Sequence, residues 1–490
     1  MRHTNLLFMF TDEQRYDTLS AYGNDRIQTP SLDRLASQSV VFDRAYVTQP
    51  VCTPSRASIV TGLYPHTAGC MVNEDPLNDD VPALPEMLTA GRYATAYHGK
   101  WHVGRELLPQ HGFDEWVSIE DHYYGRYREE LPPEMRSSYH QFLTSHGFSP
   151  ANGERFGRGE AARLPEEFGK PAFLAREASR FIRENRDGPF VLYVNFLEPH
   201  MPFYGPRDGQ YEPADVSLPP NLDAAPGETE HLKLRLMRQA YCLHGIEGHP
   251  LQTEDDWREL IARYWGLCSL VDTYVGMILR TLEECGLYDD TIIVFTSDHG
   301  DMMGSHGLVA KMVMYEEAVR VPLLVKLPGQ TSSRRVRTPI SQIDLVPTLL
   351  DILGESIPPH LQGKSLRLFL GNGTEPEPRD VFIEWTGRDG FPANLDDPNK
   401  YPAYMAELAT REEALAAATD PVRTVITPDG WKLNYSRLGM HELYNLARDP
   451  FETTNLGRLS DMKSVIRDLS ERIHEWQVRT GDELTTMPRG

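Results

Sequence analysis

Cysteine is scarce in this chain. There are five in 490 residues, Cys52, Cys70, Cys242, Cys268 and Cys285, with no Cys-x-x-Cys pair and one left over. That count argues against a disulfide framework. Long apolar runs are missing too. Asn5-Leu6-Leu7-Phe8-Met9-Phe10 is apolar but gives way at once to Thr11-Asp12-Glu13-Gln14-Arg15. A signal peptide needs a longer apolar region and a small-residue cleavage site, and no stretch approaches the ~18 apolar residues of a membrane span. The expectation is a cytoplasmic protein whose first apolar segment is a buried strand. Positive charge is also in deficit: 49 basic against 71 acidic residues give a net charge of −22. This argues against a nucleic-acid partner or an anionic membrane surface. It leaves an anionic substrate open, because a local cluster of Arg, Lys and metal can reverse the field inside one cleft. Neither an internal repeat nor a low-complexity tract is present.

What is there reads as an ordinary globular chain, 40% hydrophobic and 24% charged, long enough for two domains or one large domain with an appendage. Short apolar runs alternate with helical patterns, which predicts an α/β fold with a mostly parallel sheet. The predicted strands are Leu6–Phe10, Val40–Ala45, Tyr93–Tyr97, Phe190–Phe196, Thr291–Thr296 and Val321–Leu327. Predicted helices are Ser31–Ser37, Pro54–Thr61, Leu84–Ala90, Ala172–Glu184 and Asp256–Cys285. Residues 103–170 and 201–256 read as irregular covers rich in Pro, Gly, Arg and aromatics. Gly371 to Pro378 reads as a junction between a catalytic domain, 1–370, and a C-terminal α+β subdomain, 371–490. In the latter, Val381–Trp385, Thr424–Thr427 and Trp431–Tyr435 predict an antiparallel sheet with a hairpin at Pro428-Asp429-Gly430. An amphipathic helix, Ser460–Val478, closes it.

The most informative run is Cys52-Thr53-Pro54-Ser55-Arg56, continuing to Thr61-Gly62. Pro54 suits a helix start and Gly62 its end, so Cys52 falls just ahead of a helix N-terminus, where orphan amides favour negative charge. Arg56 lies one turn on and can clamp an anion bidentately. Polar clusters end the predicted strands: Asp12-Glu13, then Lys100 and His102 in His98-Gly99-Lys100-Trp101-His102, then His200, then Asp298-His299 with Lys311 after it. In open α/β sheets ligands sit beyond the carboxyl ends of strands. Carboxylates at Asp12, Glu13 and Asp298 are the hard oxygen ligands that Ca²⁺ or Mg²⁺ takes. His299 adds a nitrogen that keeps Mn²⁺ among the alternatives.

Cys-x-Pro-Ser-Arg with the following Thr-Gly, Gly99-Lys100-Trp101-His102, Ser297-Asp298-His299-Gly300-Asp301 and the tail Glu442-Leu443-Tyr444-Asn445-Leu446 together resemble the type I sulfatases of the alkaline phosphatase superfamily. The resemblance covers almost the whole chain. It implies a large, mostly parallel sheet sandwiched by helices, with a smaller antiparallel sheet behind. It also implies that a formylglycine-generating enzyme converts Cys52 to formylglycine, whose hydrate attacks sulfur. The implied catalytic set is Cys52, Arg56, Lys100, His102, His200 and Lys311. In it Lys100, Lys311 and a metal meet the sulfuryl charge, His200 protonates the leaving oxygen, and His102 helps release sulfate. The implied metal set is Asp12, Glu13, Asp298 and His299, with Ca²⁺ first. Glu13 departs from the family, which most often has Asp or Gln there, whereas His299 stands where members carry Asn or His.

The implied activity is hydrolysis of an aryl or carbohydrate sulfate. The alternatives are a phosphonate monoester or phosphodiester hydrolase and, if Cys52 stays a thiol, a non-catalytic binding protein. Relatives specialised for phosphonates depart from Gly-Lys-Trp-His, which favours sulfate. A homo-oligomer is compatible with all of these. Tyr123, Tyr124, Arg126, Tyr127 and Arg128 form an aromatic-basic cluster, a candidate grip on the alcohol half.

Overall fold

In the computed structural model, residues 4–123, 132, 134–224, 229–387, 391, 395, 397 and 400–484 are described. The strand Asn5–Asp12 lies in the middle of an eight-stranded sheet and is buried along its whole length. It pairs in parallel with Phe190–Pro199 on one side and Thr291–Ser297 on the other. Ala94–Gly99 and Glu115–Ser118 extend the parallel run beyond Phe190–Pro199. Beyond Thr291–Ser297 come Leu323–Lys326, Val40–Phe42 and Arg334–Val336; the two pairings made by Leu323–Lys326 are antiparallel.

Strand periodicity separates the two cores. Leu6, Phe8 and Phe10 pack on one face with Ala57, Ile59 and Val60 of the helix Cys52–Thr61 and with the helix Leu345–Leu353. Leu7 and Met9 face the opposite layer, built by the helices Pro30–Ala36, Lys170–Glu184 and Glu254–Glu284. Apolar side chains on both faces are what a sheet covered on both sides requires.

Four antiparallel strands follow toward the C-terminus, in the order Val381–Trp385, Val422–Ile426, Trp431–Ser436 and Glu442–Asn445. Val381, Ile383 and Ile426 join the core around Leu6 and Phe8. The other face takes the helix Lys463–Thr480, with Trp476 stacked on Phe382 at 5.1 Å. Among the described residues no helix is long and apolar enough to cross a membrane.

Four expectations need correction. The run Val40–Ala45 is divided: Val40–Phe42 stays in the large sheet, while Ala45–Tyr46 pairs with Arg320–Val321 and Ile340–Ser341 in a separate three-stranded sheet. Pro322, which has no N–H to give a ladder, splits the expected strand Val321–Leu327. Leu84–Ala90 is only a 3₁₀ turn, Leu84–Met87. The stretches read as irregular hold, among the described residues, the edge strand Glu115–Ser118 and the helices Ser138–Ser145, Arg158–Ala161 and Leu232–His244.

Candidate active site

The carboxyl ends of the central strands converge on the start of the helix Cys52–Thr61. That helix begins at Cys52 itself, so the cysteine sits in the first turn and not ahead of it. Pro54 is tolerated there because the first four amides of a helix have no intrahelical acceptor. Gly62 closes the helix with φ 73°.

Cys52 Sγ lies 3.3 Å from His299 Nε2 and 3.7 Å from Asp12 Oδ1. Asp12, Cys52, Asp298 and His299 are all buried, and each offers one ligand atom within 4.8 Å of the others. The donor chemistry fits a divalent cation. His299 Nδ1–H donates to the Gly300 carbonyl at 3.0 Å, which leaves the Nε2 lone pair facing Asp12 and Asp298, 3.7 and 3.6 Å away. Burial pushes the pKa of His299 down, but Asp298 and Cys52 together outweigh it and lift it to about 9. The cluster therefore draws in a positive charge, and a bound cation would take the place of that proton.

Asp12 divides its oxygens. Oδ1 faces the cluster, while Oδ2 accepts from Lys100 Nζ at 2.6 Å and Arg56 Nη2 at 2.8 Å. Burial alone would raise the Asp12 carboxyl, yet Lys100, Arg56 and Lys311 hold it well below the usual range. Arg56 is not the anion clamp expected from its spacing. Its donors go to Asp298 Oδ2 at 3.0 Å, Asp12 Oδ2 at 2.8 Å, the Lys100 carbonyl at 2.6 Å and Asn195 Oδ1 at 2.8 Å. It organises the carboxylates instead, because four acceptors already surround the guanidinium.

Glu13 stands apart from the four-donor set. Its φ is 71°, its Oε2 meets Lys311 Nζ at 2.9 Å and His200 Nε2 at 3.4 Å, and Oε1 receives no donor among the described residues. Burial lifts its carboxyl to about 8. Lys100 and Lys311 are both buried. Burial and Asp12 push the Cys52 thiol up, but the two lysines and His299 outweigh them and its pKa falls below the ordinary thiol range.

The two site histidines are held neutral. Burial and the nearby cations keep both His102 and His200 well below the usual imidazole range. His200 Nδ1–H donates to the Met201 carbonyl at 2.8 Å, so Nε2 is its lone-pair nitrogen. His102 has φ 60°, and neither of its ring nitrogens has a hydrogen-bond partner among the described residues. Gly99 is obligatory in this loop: a Cβ there would lie 2.1 Å from the Asn195 carbonyl oxygen.

Several neighbours escaped the sequence reading. Asn195 holds Arg56; the one available signal was a polar residue inside the otherwise apolar run Phe190–Phe196. Of the expected aromatic-basic cluster, Tyr124, Arg126, Tyr127 and Arg128 lie outside the described residues, but Tyr123 stacks on the His102 ring at 4.0 Å. Arg158 donates to the Tyr123 hydroxyl at 2.7 Å and to Glu120 at 2.6 Å, and Glu120 also accepts from Lys170.

Burial raises the Glu120 carboxyl, yet Arg158 and Lys170 outweigh it and bring it to about 2, below its ordinary 4.5. A carboxyl whose pKa is depressed on folding stabilises fully above its unfolded pKa and loses that contribution as pH falls toward the folded one. The stability gap between wild type and E120Q is therefore expected to narrow by about 3 kcal/mol as pH falls from 6 toward 2. Denaturant unfolding at stepped pH checks this; a gap that stays constant with pH contradicts it.

A sulfatase family model matches residues 4–355. The chain belongs to the sulfatase family. It is thereby a member of the sulfuric ester hydrolases. Over nearly its whole length it is 28% identical to the multifunctional alkaline phosphatase superfamily protein PehA of Trinickia caryophylli, covering 99% of this chain and 97% of that one. It is 29% identical to the choline-sulfatase of Rhizobium meliloti, covering 92% and 82%. Among solved structures, the phosphonate monoester hydrolase of Agrobacterium radiobacter superposes with a TM-score of 0.72 at 27% identity, covering 97% and 96%. The alkaline phosphatase-like architecture expected from the resemblance is thus the architecture of this sulfatase.

Proposed function

We propose that this sulfatase hydrolyses a sulfate monoester, of an aryl or carbohydrate alcohol, to the alcohol and inorganic sulfate. One observation carries the reading: Lys100, Lys311, His102 and His200 are buried beside the cluster of Cys52, Asp12, Glu13 and Asp298. Formylglycine at position 52, made by a formylglycine-generating enzyme, supplies a hydrated aldehyde as the oxygen nucleophile. A divalent cation, Ca²⁺ before Mg²⁺ or Mn²⁺, supplies positive charge against the ester oxygens when held by Asp12, Asp298 and His299, with Glu13 beside them.

The chain's own groups do the rest. Lys100 is oriented by Asp12 and Lys311 by Glu13, so two ammonium groups are fixed before substrate arrives. His102, neutral and with no hydrogen bond to its ring nitrogens among the described residues, accepts a proton. Glu13, whose carboxyl is lifted to about 8, carries a proton 3.4 Å from His200 Nε2, and His200 relays it to the departing oxygen. Arg56 keeps Asp12 and Asp298 in register and leaves the sulfuryl group to the lysines.

A second reading, hydrolysis of a phosphonate monoester or phosphodiester, is favoured by the likeness to the Agrobacterium hydrolase and to multifunctional PehA. Lys100 and His102 favour sulfate over it. Steady-state kinetics on an aryl sulfate, an aryl phosphodiester and an aryl phosphonate monoester separate the two. The expected order puts kcat/KM highest for the sulfate; a higher value for the phosphonate overturns the choice. Intact-mass analysis of the peptide holding Cys52 should show a mass about 18 Da below that of the encoded cysteine, and an unshifted peptide would favour a non-catalytic binding protein.

A further inference from the structure

We infer that Glu106 is the positioning residue that holds His102 in its working conformation, an inference resting on the reading of His102 as a proton-moving group. Glu106 lies four residues after His102 and is 3% exposed. Its Oε1 accepts the Trp101 amide at 3.0 Å, and its Oε2 accepts the His102 amide at 2.8 Å. Its own carbonyl accepts from Trp116 Nε1 at 2.9 Å, which ties it to the edge strand Glu115–Ser118. One buried carboxylate thus satisfies two consecutive amides.

Two consecutive amides can point at one carboxylate only where the backbone turns back on itself. His102 makes that turn at φ 60°, a region that a residue with a β-carbon enters at a cost. The strain persists only if its surroundings over-determine it. Thr53 Oγ1, one residue from the nucleophile, donates to the His102 carbonyl at 2.7 Å. Glu106 takes the His102 amide from the other side. The His102 peptide is thereby clamped at both ends.

The ring itself is steered differently from most buried histidines. Stacking on Tyr123 fixes its plane, and no hydrogen bond from a described residue to a ring nitrogen fixes its rotation. A histidine that exchanges a proton with bound substrate needs its nitrogens uncommitted. Its orientation must then come through the main chain, and Glu106 supplies the two-oxygen acceptor that sets it. The same carboxylate fixes the peptide that follows Lys100, whose carbonyl Arg56 and the Tyr97 hydroxyl hold. Glu106 touches no reacting atom in this reading and acts through the loop alone.

The test is a double-mutant cycle on whichever ester the wild-type enzyme turns over fastest. E106Q keeps the size of the side chain, but its amide oxygen can accept only one of the two N–H groups. It is expected to lower kcat about 30- to 100-fold while KM changes less than about threefold. E106A should fall further, and E106D, which keeps both oxygens, should recover at least about tenfold over E106A. In an H102A background the E106Q change is expected to cost less than about threefold, because its effect runs through His102. Full additivity of the two substitutions overturns the assignment. So does an E106Q enzyme with kcat within about threefold of wild type and a lowered thermal midpoint, the signature of a residue that only caps the turn. A wild-type preference for phosphonates would refute the sulfate reading and leave this cycle intact.

Discussion

Replacing Cys52 by alanine is expected to remove turnover, by at least about 10⁴-fold, while the thermal midpoint moves by no more than about 3 °C. The asymmetry follows from position. Cys52 is 2% exposed in the first turn of its helix, and its Sγ is the atom around which Asp12, Asp298 and His299 are arranged. Losing one sulfur leaves a small void lined by polar groups, so the fold loses little. The chemistry loses its proposed nucleophile, because Lys100 and Lys311 are committed to Asp12 and Glu13 and the histidines serve as proton carriers. Serine at the position sharpens the test. Its hydroxyl can attack once, but it lacks the geminal oxygen through which sulfate is expelled, so C52S is expected to release at most about one alcohol per enzyme molecule. Steady turnover by either variant would sink the assignment of position 52 as nucleophile. Calcium binding to C52A, measured by calorimetry, should survive, since the carboxylates and His299 remain.

The parts of this site legible in the sequence share one property: they are local. A strand that is apolar throughout and then ends in Asp12-Glu13 or Asp298-His299 announces a sheet buried on both faces with a site at its carboxyl edge, and the structure puts both pairs there. Cys52 and Gly62 bracket a helix because the rules for helix ends act over a few residues. What stayed hidden depends on partners far apart in sequence. Arg56 looked like an anion clamp because nothing local says that Asp298 and Asn195 reach its donors first. Glu13 reads as one more carboxylate ligand, and nothing local shows that Lys311 and His200 stand beside it, where Asp12, Glu13 and His200 form a second group of candidate ligands. Val40–Ala45 reads as one strand because its division is made by the different partners Val336 and Ile340. Glu106 had no signal at all, since a carboxylate four residues beyond a histidine is unremarkable until both amides turn toward it.

Arg56→Met is expected to be the most damaging single change in the protein, for stability and activity together. The guanidinium is 1% exposed and lies 5.3 Å from the centre of the Phe10 ring, so water cannot replace what it provides. Removing it leaves Asp298 Oδ2 and Asn195 Oδ1 without a donor among the described residues, and takes one of two donors from Asp12 Oδ2 and from the Lys100 carbonyl. Breaking a buried ion pair from one side costs about 3–5 kcal/mol, because the remaining charge is left uncompensated. Two carboxylates share that loss here, with Lys100 still beside Asp12 as partial relief. Arg56→Lys restores the charge but not the planar fork, so it can serve one carboxylate and not both; it should fall between Met and wild type in thermal midpoint. Both variants should lose about 10³-fold or more in kcat/KM, since the donors that surround position 52 would no longer be in register. Added Ca²⁺ supplies a further discriminator. A cation bound between Asp12 and Asp298 offsets the missing positive charge, so calcium should raise the midpoint of R56M by more than it raises that of wild type. An R56M enzyme within about 2 °C and tenfold of wild type would contradict the role read from these four hydrogen bonds. An equal calcium response in the two proteins would instead remove the cation from between those carboxylates and leave Arg56, with Lys100 at Asp12, as their counter-charge.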